Sequence, residues 1–128
     1  MKTSNFSRGS KLPGAISIAR GTPWWFHGPR YGDLEPSWEL IADGKAGRRA
    51  EYTERYEREV LGRLDPARVA EEIHAIVSPH EPILLCWEAP GEFCHRRIIA
   101  RWLNAAGVVE GGVSETEPAQ GDLFGGLP

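Results

Sequence analysis

The sequence predicts one small α/β domain in which helices flank a mostly parallel sheet. Two apolar runs of strand length stand far apart in the chain, "AISIA" at 15–19 and "PILLCWE" at 82–88. Segments with helical periodicity lie between them, so the strands are joined by a crossover, which favours parallel pairing. The chain has 128 residues, 41% of them hydrophobic, which suits a single domain with a modest core.

A long loop and two helices follow the first strand. The loop, "RGTPWWFHGPRYGDLEPSW" at 20–38, has no hydrophobic periodicity but is rich in aromatic residues. Loops of this length are usually functional when they are not disordered. A short helix is predicted over 36–44. A second helix is predicted over 51–64, where Tyr52 and Tyr56 stand one turn apart with charges elsewhere.

The third and fourth helices surround the second strand in the chain. The third begins with Asp65 as N-cap and Pro66 at the first helical position, and Ser78-Pro79 ends it. The fourth, "CHRRIIARWLNAAG", stops at Gly107. "VVE" at 108–110 is a candidate last strand. This order predicts a Rossmann-like arrangement of three layers, although only two strands are convincing and the strand count stays open.

The composition of the chain argues against a membrane protein and against a secreted protein. No apolar run approaches the roughly 20 residues that a membrane helix needs, and the start, "MKTSNFSRGSKLPG", lacks the apolar region of a secretory signal. We therefore expect a cytoplasmic protein with no membrane partner. In that reducing compartment we expect no structural disulfide between Cys86 and Cys94. Residues 1–49 carry eight Lys or Arg and four Asp or Glu, which indicates either a phosphate-binding surface or a solvated mixed-charge face.

Two cysteines, an acid and a histidine crowd the turn from the second strand into the last helix. Cys86 and Glu88 end the strand on the same side, and Cys94 and His95 begin the helix. Projected at about 100° per residue, His95 falls within the apolar stripe of the helix, so we expect it to face the strand ends. Backbone N–H groups and the helix dipole attract anions at such an edge.

Three interpretations of this cluster stay open. The first makes the cysteines core residues and His95 a satisfied buried histidine, although a buried Glu88 would then need a partner. The second is a zinc site of Cys86, Cys94 and His95, but Cys-x7-Cys-His is not a standard zinc spacing, so we assign no metal ligand. The third is catalysis, in which the helix N-terminus lowers the pKa of Cys94, Glu88 moves protons and His95 orients or polarises.

Four stretches of the chain also carry a family resemblance. "SIARGTPWW", "YGDLEPSWELI", "YTERYEREVL" and above all "LLCWEAPGEFCHRRIIARWL" resemble the bacterial Domain of Unknown Function 488 family, in order from about Ile16 to Val109. The resemblance implies a compact α/β fold. It also implies a shared site at the matching motif positions, which are Arg20, Cys86, Glu88, Cys94, His95 and Arg96. It implies no reaction, because the family is named for lacking one.

The first strand and its loop complete the predicted site. If the two strands are parallel neighbours, Arg20 leaves the first strand at the edge where Glu88 leaves the second. A guanidinium beside a helix N-terminus is suited to bind phosphate or carboxylate, and Trp24 and Trp25 can stack on a base. The alternative is that these aromatic rings cover the core and that Arg20 pairs with Glu88. We predict Glu88, Cys94 and His95 as catalytic residues, and Arg20, Trp24, Trp25, Cys86 and Arg96 as ligand-binding residues.

The end of the chain differs in composition from the rest. We divide the chain into an α/β domain, residues 1–110, and a flexible acidic tail, residues 111–128, rich in Gly and Pro. Within the tail, "QGDLF" resembles the Gln-x-x-Leu-Phe peptide by which bacterial DNA-metabolic proteins bind the replicative sliding clamp. Leu123 and Phe124 would fill an apolar pocket while Gln120 hydrogen-bonds at its rim. The alternative is that Leu123 and Phe124 fold back onto the domain.

These observations leave three classes of function. The first is an enzyme that acts on nucleic acid or a nucleotide in DNA metabolism or repair and is tethered to the sliding clamp by its tail. The second is a non-catalytic module that binds nucleic acid or a nucleotide. The third is a small zinc-binding domain. The sequence itself chooses neither a cofactor nor a reaction type.

Overall fold

The computed structural model describes residues 1–88 and 93–116. Within these residues the sheet has four strands, all paired in parallel, in the order β2-β3-β1-β4. The strands are β1 (Lys2–Asn5), β2 (Ala15–Ser17), β3 (Ile83–Cys86) and β4 (Ser114–Glu115). The predicted class, a small α/β domain with a parallel sheet, is confirmed.

Helices occupy most of the chain between and after the strands. They are α1 (Phe6–Gly9), α2 (Trp38–Lys45), α3 (Arg49–Glu59), α4 (Pro66–Val77) and α5 (His95–Ala106), with 3-10 turns at Gly32–Leu34 and Leu61–Arg63. The last four helices confirm the four that periodicity predicts. Helix α4 begins at Pro66 as expected, but the Asp65 side chain makes no capping hydrogen bond. No helix in the described part of the chain is long and apolar enough to cross a membrane.

The strand β1 lies between β3 and β4, and the sequence does not predict it. Its residues are polar, so they form no apolar run. Thr3, Ser4 and Asn5 are nevertheless buried. Their side chains are hydrogen-bonded: Thr3 Oγ1 donates to Glu115 Oε1 at 2.6 Å, and Ser4 Oγ accepts from Thr116 Oγ1 at 2.9 Å. Buried polar groups with such partners are tolerated, because they keep the hydrogen bonds that they would make in water.

The last strand lies later than the sequence predicts. The expected strand at 108–110 is wrong, because Val109 packs into the helical side of the core and the chain then turns through two glycines with positive φ, Gly111 at 78° and Gly112 at 75°. Only then does it reach the sheet edge as β4, which pairs with β1. The folded domain therefore continues past residue 110, where we expected the tail to begin. Residues 117–128 lie outside the described residues.

The core is larger on one face of the sheet than on the other. On the first face, Leu84 of β3 packs with buried side chains of α2, α3, α4 and α5. On the second face, Ile83 and Leu85 pack with Phe6 of α1 and with Phe26 of the long loop. Adjacent strand residues thus point to opposite faces. The second face is covered by a one-turn helix and a loop rather than by long helices.

Arg96 joins helix α5 to the edge strand β4. Its side chain is 1% exposed. Nε donates to Glu115 Oε1 at 3.1 Å, and Nη2 donates to Oε2 at 2.8 Å. Nη1 donates to the backbone carbonyl of Glu88 at 2.8 Å and to Cys86 Sγ at 3.4 Å. A guanidinium can be buried here because each of its nitrogens has a partner.

This ion pair predicts the effect of changing Glu115. Glu115→Gln should lower the free energy of unfolding by about 1–3 kcal/mol, because it removes the charge opposite a buried guanidinium. Since the Glu115 side chain is 33% exposed, solvent screening keeps the loss towards the lower value. Chemical denaturation at neutral pH measures it. Glu110→Gln, the same change at an exposed acid, is the matched control and should leave stability within about 0.5 kcal/mol.

The difference in the free energy of unfolding between the wild type and Glu115→Gln should depend on pH, because the Glu115 carboxyl titrates. Burial raises its pKa, but the hydrogen bonds from Arg96 and Thr3 outweigh burial and hold the pKa below its usual range. A carboxyl with a lower pKa in the folded state stabilises the fold above its unfolded pKa, and this stabilisation is lost as the pH falls through the folded value. The gap between wild type and Glu115→Gln should therefore close in acid. A gap that is absent at neutral pH would contradict this role for the ion pair.

Candidate functional site

The ends of β2 and β3 form one edge of the sheet. The two strands pair in parallel with Ser17 opposite Leu85, and the backbone N–H of Ile18 donates to the Leu85 carbonyl at 3.0 Å. The first strand is therefore the parallel neighbour of the second, as the predicted site required. Arg20 and Glu88 consequently leave the sheet at the same edge.

A cavity of about 680 Å³ opens at this edge. Of the eight residues predicted as catalytic or ligand-binding, five line it: Arg20, Cys86, Glu88, Cys94 and His95. Its volume is within the range of small-molecule sites, which is roughly 300–1,000 Å³. The β3 end supplies Cys86 and Glu88, and the start of α5 supplies Cys94 and His95.

Cys86 and Cys94 form a disulfide on the wall of the cavity. The prediction that they would not pair is therefore wrong for this structure. It rested on the expected compartment, whereas the pairing follows from the fold: β3 ends at Cys86, and α5 begins against the same sheet edge with Cys94 as its N-cap residue. Both cysteines are buried, at 1% and 3% exposed.

His95 faces the strand ends, as its place in the apolar stripe predicts. It is 5% exposed, and its Nε2 lies 2.7 Å from the Ile18 carbonyl oxygen. Because a carbonyl only accepts hydrogen bonds, Nε2 carries the proton in the neutral ring. Nδ1 is then unprotonated, and it lies 3.7 Å from Cys94 Sγ.

Burial sets the protonation of this part of the site. It lowers the pKa of His95 to about 4; the Arg96 charge lowers it too, while the hydrogen bond to Ile18 opposes both. His95 is therefore neutral at physiological pH. The ring of Tyr56 lies against it with centroids 5.5 Å apart. Burial also raises the pKa of Tyr52, and the Glu88 charge raises it further, so this phenol keeps its proton.

Arg20 and Arg96 occupy different environments. Arg20 Nε donates to the Pro36 carbonyl at 2.9 Å, and its guanidinium lies 5.9 Å from the centroid of the Trp38 ring. Within the described residues Arg20 forms no ion pair with Glu88, which was the alternative expectation. Arg96 does not line the cavity, and its nitrogens are bonded to Glu115, Cys86 and the Glu88 carbonyl; its role in ligand binding stays a prediction.

The two tryptophans predicted to stack on a base lie away from this cavity. Trp24 is 89% exposed. Trp25 lines a separate, smaller cavity of about 330 Å³ together with Phe26 and His27. Their predicted role in ligand binding stays a prediction, but it concerns a different part of the surface.

The cavity is also lined by residues that the sequence does not single out as site residues, among them Trp38, Lys45, Arg49 and Tyr52. They come from α2 and α3, whose packing against the strand ends cannot be deduced from helical periodicity. The signal for the cations is the charge excess of residues 1–49, because Arg20, Lys45 and Arg49 all belong to that segment. Arg49 also lies over the ring of Phe93, 5.6 Å from its centroid.

The donor atoms at the cavity wall are soft and close together. The sulfur atoms of Cys86 and Cys94 and a ring nitrogen of His95 all lie within 4.8 Å of one another. Thiolate and imidazole are ligand types that zinc accepts. The carboxylate of Glu88 lies in the same cavity but does not belong to this group of three.

The fold and this site define the chain as a small α/β protein with a cavity at one sheet edge that is lined by a disulfide, cations and aromatic rings. A family model, DUF488-N3a, described as the active DUF488-N3 subclade, matches residues 18–107. The chain therefore belongs to the DUF488 family, which confirms the resemblance read from its motifs. No curated protein matches the chain, and no solved structure does.

Proposed function

We propose that this protein is an enzyme that acts on a nucleotide or a nucleic acid. The observation that carries the proposal is the composition of the cavity at the sheet edge. Among the residues that the structure describes, three cationic side chains, Arg20, Lys45 and Arg49, line it together with one acidic residue, Glu88. This imbalance favours an anionic ligand, because arginine pairs strongly with phosphate oxygens and a cleft lined by one sign of charge attracts the opposite sign.

The aromatic residues of the cavity support a nucleobase as the second part of the substrate, beside the phosphate. Trp38, Tyr52 and Phe93 contribute rings to the cavity. Trp38 is 68% exposed, so its ring is accessible for stacking, and an aromatic face binds any base because every base has a π-face. A phosphate beside an aromatic base is the simplest ligand that satisfies both the cations and the rings.

The reacting centre in this proposal consists of Glu88, Cys94 and His95. In the reduced protein Cys94 is the nucleophile, at the N-terminus of α5, where the helix dipole favours a thiolate. Before deprotonation, the Cys94 thiol donates to the unprotonated Nδ1 of neutral His95, which lies 3.7 Å from the sulfur and orients it. Glu88 transfers protons, because it lines the same cavity, whereas the Nε2 proton of His95 is held by the Ile18 carbonyl.

The description of the matched subclade as active supports catalysis.

One observation favours a second candidate, a non-catalytic module that binds the same ligands. In the disulfide form, Cys94 has no free sulfur with which to attack a substrate. A protein that functions only in this form would bind a ligand through Arg20, Lys45 and Arg49 without turning it over.

We place this activity in DNA metabolism or repair, in the bacterial cytoplasm, with the sliding clamp as partner. The basis is the Gln-x-x-Leu-Phe peptide, whose residues Gln120, Leu123 and Phe124 lie outside the described residues. A clamp-bound tail would raise the local concentration of the domain on DNA without any new contact.

The first prediction of this proposal concerns the cavity. Reduced protein should bind a fluorescent single-stranded oligonucleotide or a nucleoside triphosphate at low salt, and Arg49→Gln should weaken binding roughly 10–100-fold, because it removes one charged hydrogen-bonding group. Arg97→Gln is the matched control, since Arg97 is exposed on α5 and does not line the cavity. Fluorescence anisotropy measures the affinity, and mass spectrometry of the ligands detects turnover.

The variants at the reacting centre separate the two candidates. If the protein is an enzyme, Glu88→Gln and Cys94→Ser should each retain binding and lose product formation. Binding without any product in the wild-type protein would favour the non-catalytic module. If neither probe binds at low salt, the proposal of a nucleotide or nucleic-acid ligand is wrong.

The second prediction concerns the tail. A synthetic peptide spanning residues 117–128 should bind the bacterial sliding clamp with micromolar affinity, about 8 kcal/mol. Leu123→Ala with Phe124→Ala should abolish binding, because small interfaces concentrate their energy in a few apolar anchors. Asp122→Ala, at a variable position of the motif, is the matched control and should still bind.

The full-length protein gives the decisive comparison for the tail. The Leu123 and Phe124 double variant should keep the melting temperature of the wild type if these residues serve only a partner. If the double variant melts earlier and the wild-type peptide has no affinity for the clamp, these residues belong to the domain, and the connection to DNA metabolism loses its basis.

A further inference from the structure

Three potential metal ligands converge on the cavity wall from two elements of the fold. The sulfur atoms of Cys86 and Cys94 and a ring nitrogen of His95 lie within 4.8 Å of one another. Cys-x7-Cys-His is not a standard zinc spacing in sequence. The three residues come together because the end of β3 meets the start of α5. All three are buried, and all three line the cavity.

The separations suit a shared ion once the disulfide is reduced. Cys94 Sγ and His95 Nδ1 are 3.7 Å apart, close to the roughly 3.5 Å expected between a sulfur and a nitrogen on one tetrahedral zinc. The Cα atoms of the two cysteines are 7.5 Å apart, and both residues line the same cavity. Without the S–S bond, their sulfurs can therefore lie the roughly 3.8 Å apart that zinc needs.

The groups behind the three ligands are those that commonly support metal ligands. His95 Nε2 donates to the Ile18 carbonyl at 2.7 Å, which fixes the ring orientation and leaves Nδ1 free to coordinate. Arg96 Nη1 lies 3.4 Å from Cys86 Sγ and donates to it, which stabilises a thiolate. Two thiolates also neutralise the charge of a divalent ion, so the bound group can be buried.

We propose that the reduced protein binds one zinc ion through Cys86, Cys94 and His95, and that the disulfide is the metal-free, oxidised form of the same site. Zinc accepts two thiolates and an imidazole. Since the three ligands line the cavity, the fourth coordination position of the zinc ion would face the cavity, where water or an oxygen of a substrate can bind. In this form Cys94 is a metal ligand, so only the metal-free, reduced form can use Cys94 as the nucleophile of the proposed reaction.

The change between the two forms balances without an unnamed reactant. A dithiol reductant supplies two electrons and two protons, its two sulfurs become a disulfide, and the Cys86–Cys94 bond is replaced by two thiols. Zinc then displaces the two thiol protons and binds both sulfurs and Nδ1 of His95. In a reducing compartment the dithiol form is favoured, because cytosolic disulfides are usually transient.

The inference does not depend on the proposed reaction, because its test needs no substrate. Full-length protein is reduced with a phosphine, transferred to anaerobic buffer and titrated with Co²⁺, which reports on thiolate ligands through its visible and charge-transfer absorption. We expect about one equivalent of tetrahedral, thiolate-bound Co²⁺ that Zn²⁺ displaces, and a higher melting temperature with Zn²⁺ bound. The oxidised protein should bind neither ion at this site.

Variants identify the ligands. Cys86→Ser, Cys94→Ser and His95→Asn should each lower the affinity for Zn²⁺ by at least about 100-fold, since loss of a ligand costs more than the 10–100-fold of a supporting residue. His80→Asn, the same change at an exposed histidine, is the matched control and should bind like the wild type. The inference is overturned if reduced wild-type protein takes up no stoichiometric metal, if bound Co²⁺ lacks thiolate absorption, or if His80→Asn alone removes binding.

Discussion

The parallel pairing of β2 with β3 is the constraint on which the rest of the site depends. It carries the Ile18 carbonyl and Cys86 to the same edge of the sheet, and helix α5 can begin only where its first turn meets that edge. The hydrogen bond from His95 to Ile18 then fixes the first residue of α5 against β2. A shift of one residue between the two strands would send the side chains at their ends to the opposite face and disperse the cluster.

Burial of charged and polar groups is the cost of this arrangement, and hydrogen bonding offsets it. Arg96 is almost fully buried, yet it bonds to Glu115 on one side and to the Glu88 carbonyl on the other. It thereby holds the edge strand, the chain after β3 and helix α5 in one network. Such a network is stable only when all its members are satisfied, and here each nitrogen of the Arg96 side chain has a partner.

The sequence was sufficient for the helices and for the part of the site that strand ends define. Arg20, Cys86, Glu88, Cys94 and His95 follow from two apolar runs and one amphipathic helix, because parallel strands end at one edge. It was not sufficient for β1, whose polar residues give no period, or for Trp38, Lys45 and Arg49, which reach the cavity through the packing angles of helices. The sequence does not predict the disulfide, because the expected compartment indicates only how often cysteines pair on average. Whether two particular cysteines are close enough to pair depends on the fold.

The position of the proton on His95 depends on the strand register, the start of α5 and the Ile18 carbonyl together, so measuring it tests whether these three features meet as described. Long-range ¹H–¹⁵N NMR of uniformly labelled, oxidised protein at neutral pH measures it, and loss of the signals in His95→Gln assigns them. The hydrogen bond to Ile18 predicts a neutral ring with the proton on Nε2 and an unprotonated Nδ1 facing the sulfur of Cys94. A proton on Nδ1, or a doubly protonated ring at neutral pH, would contradict it.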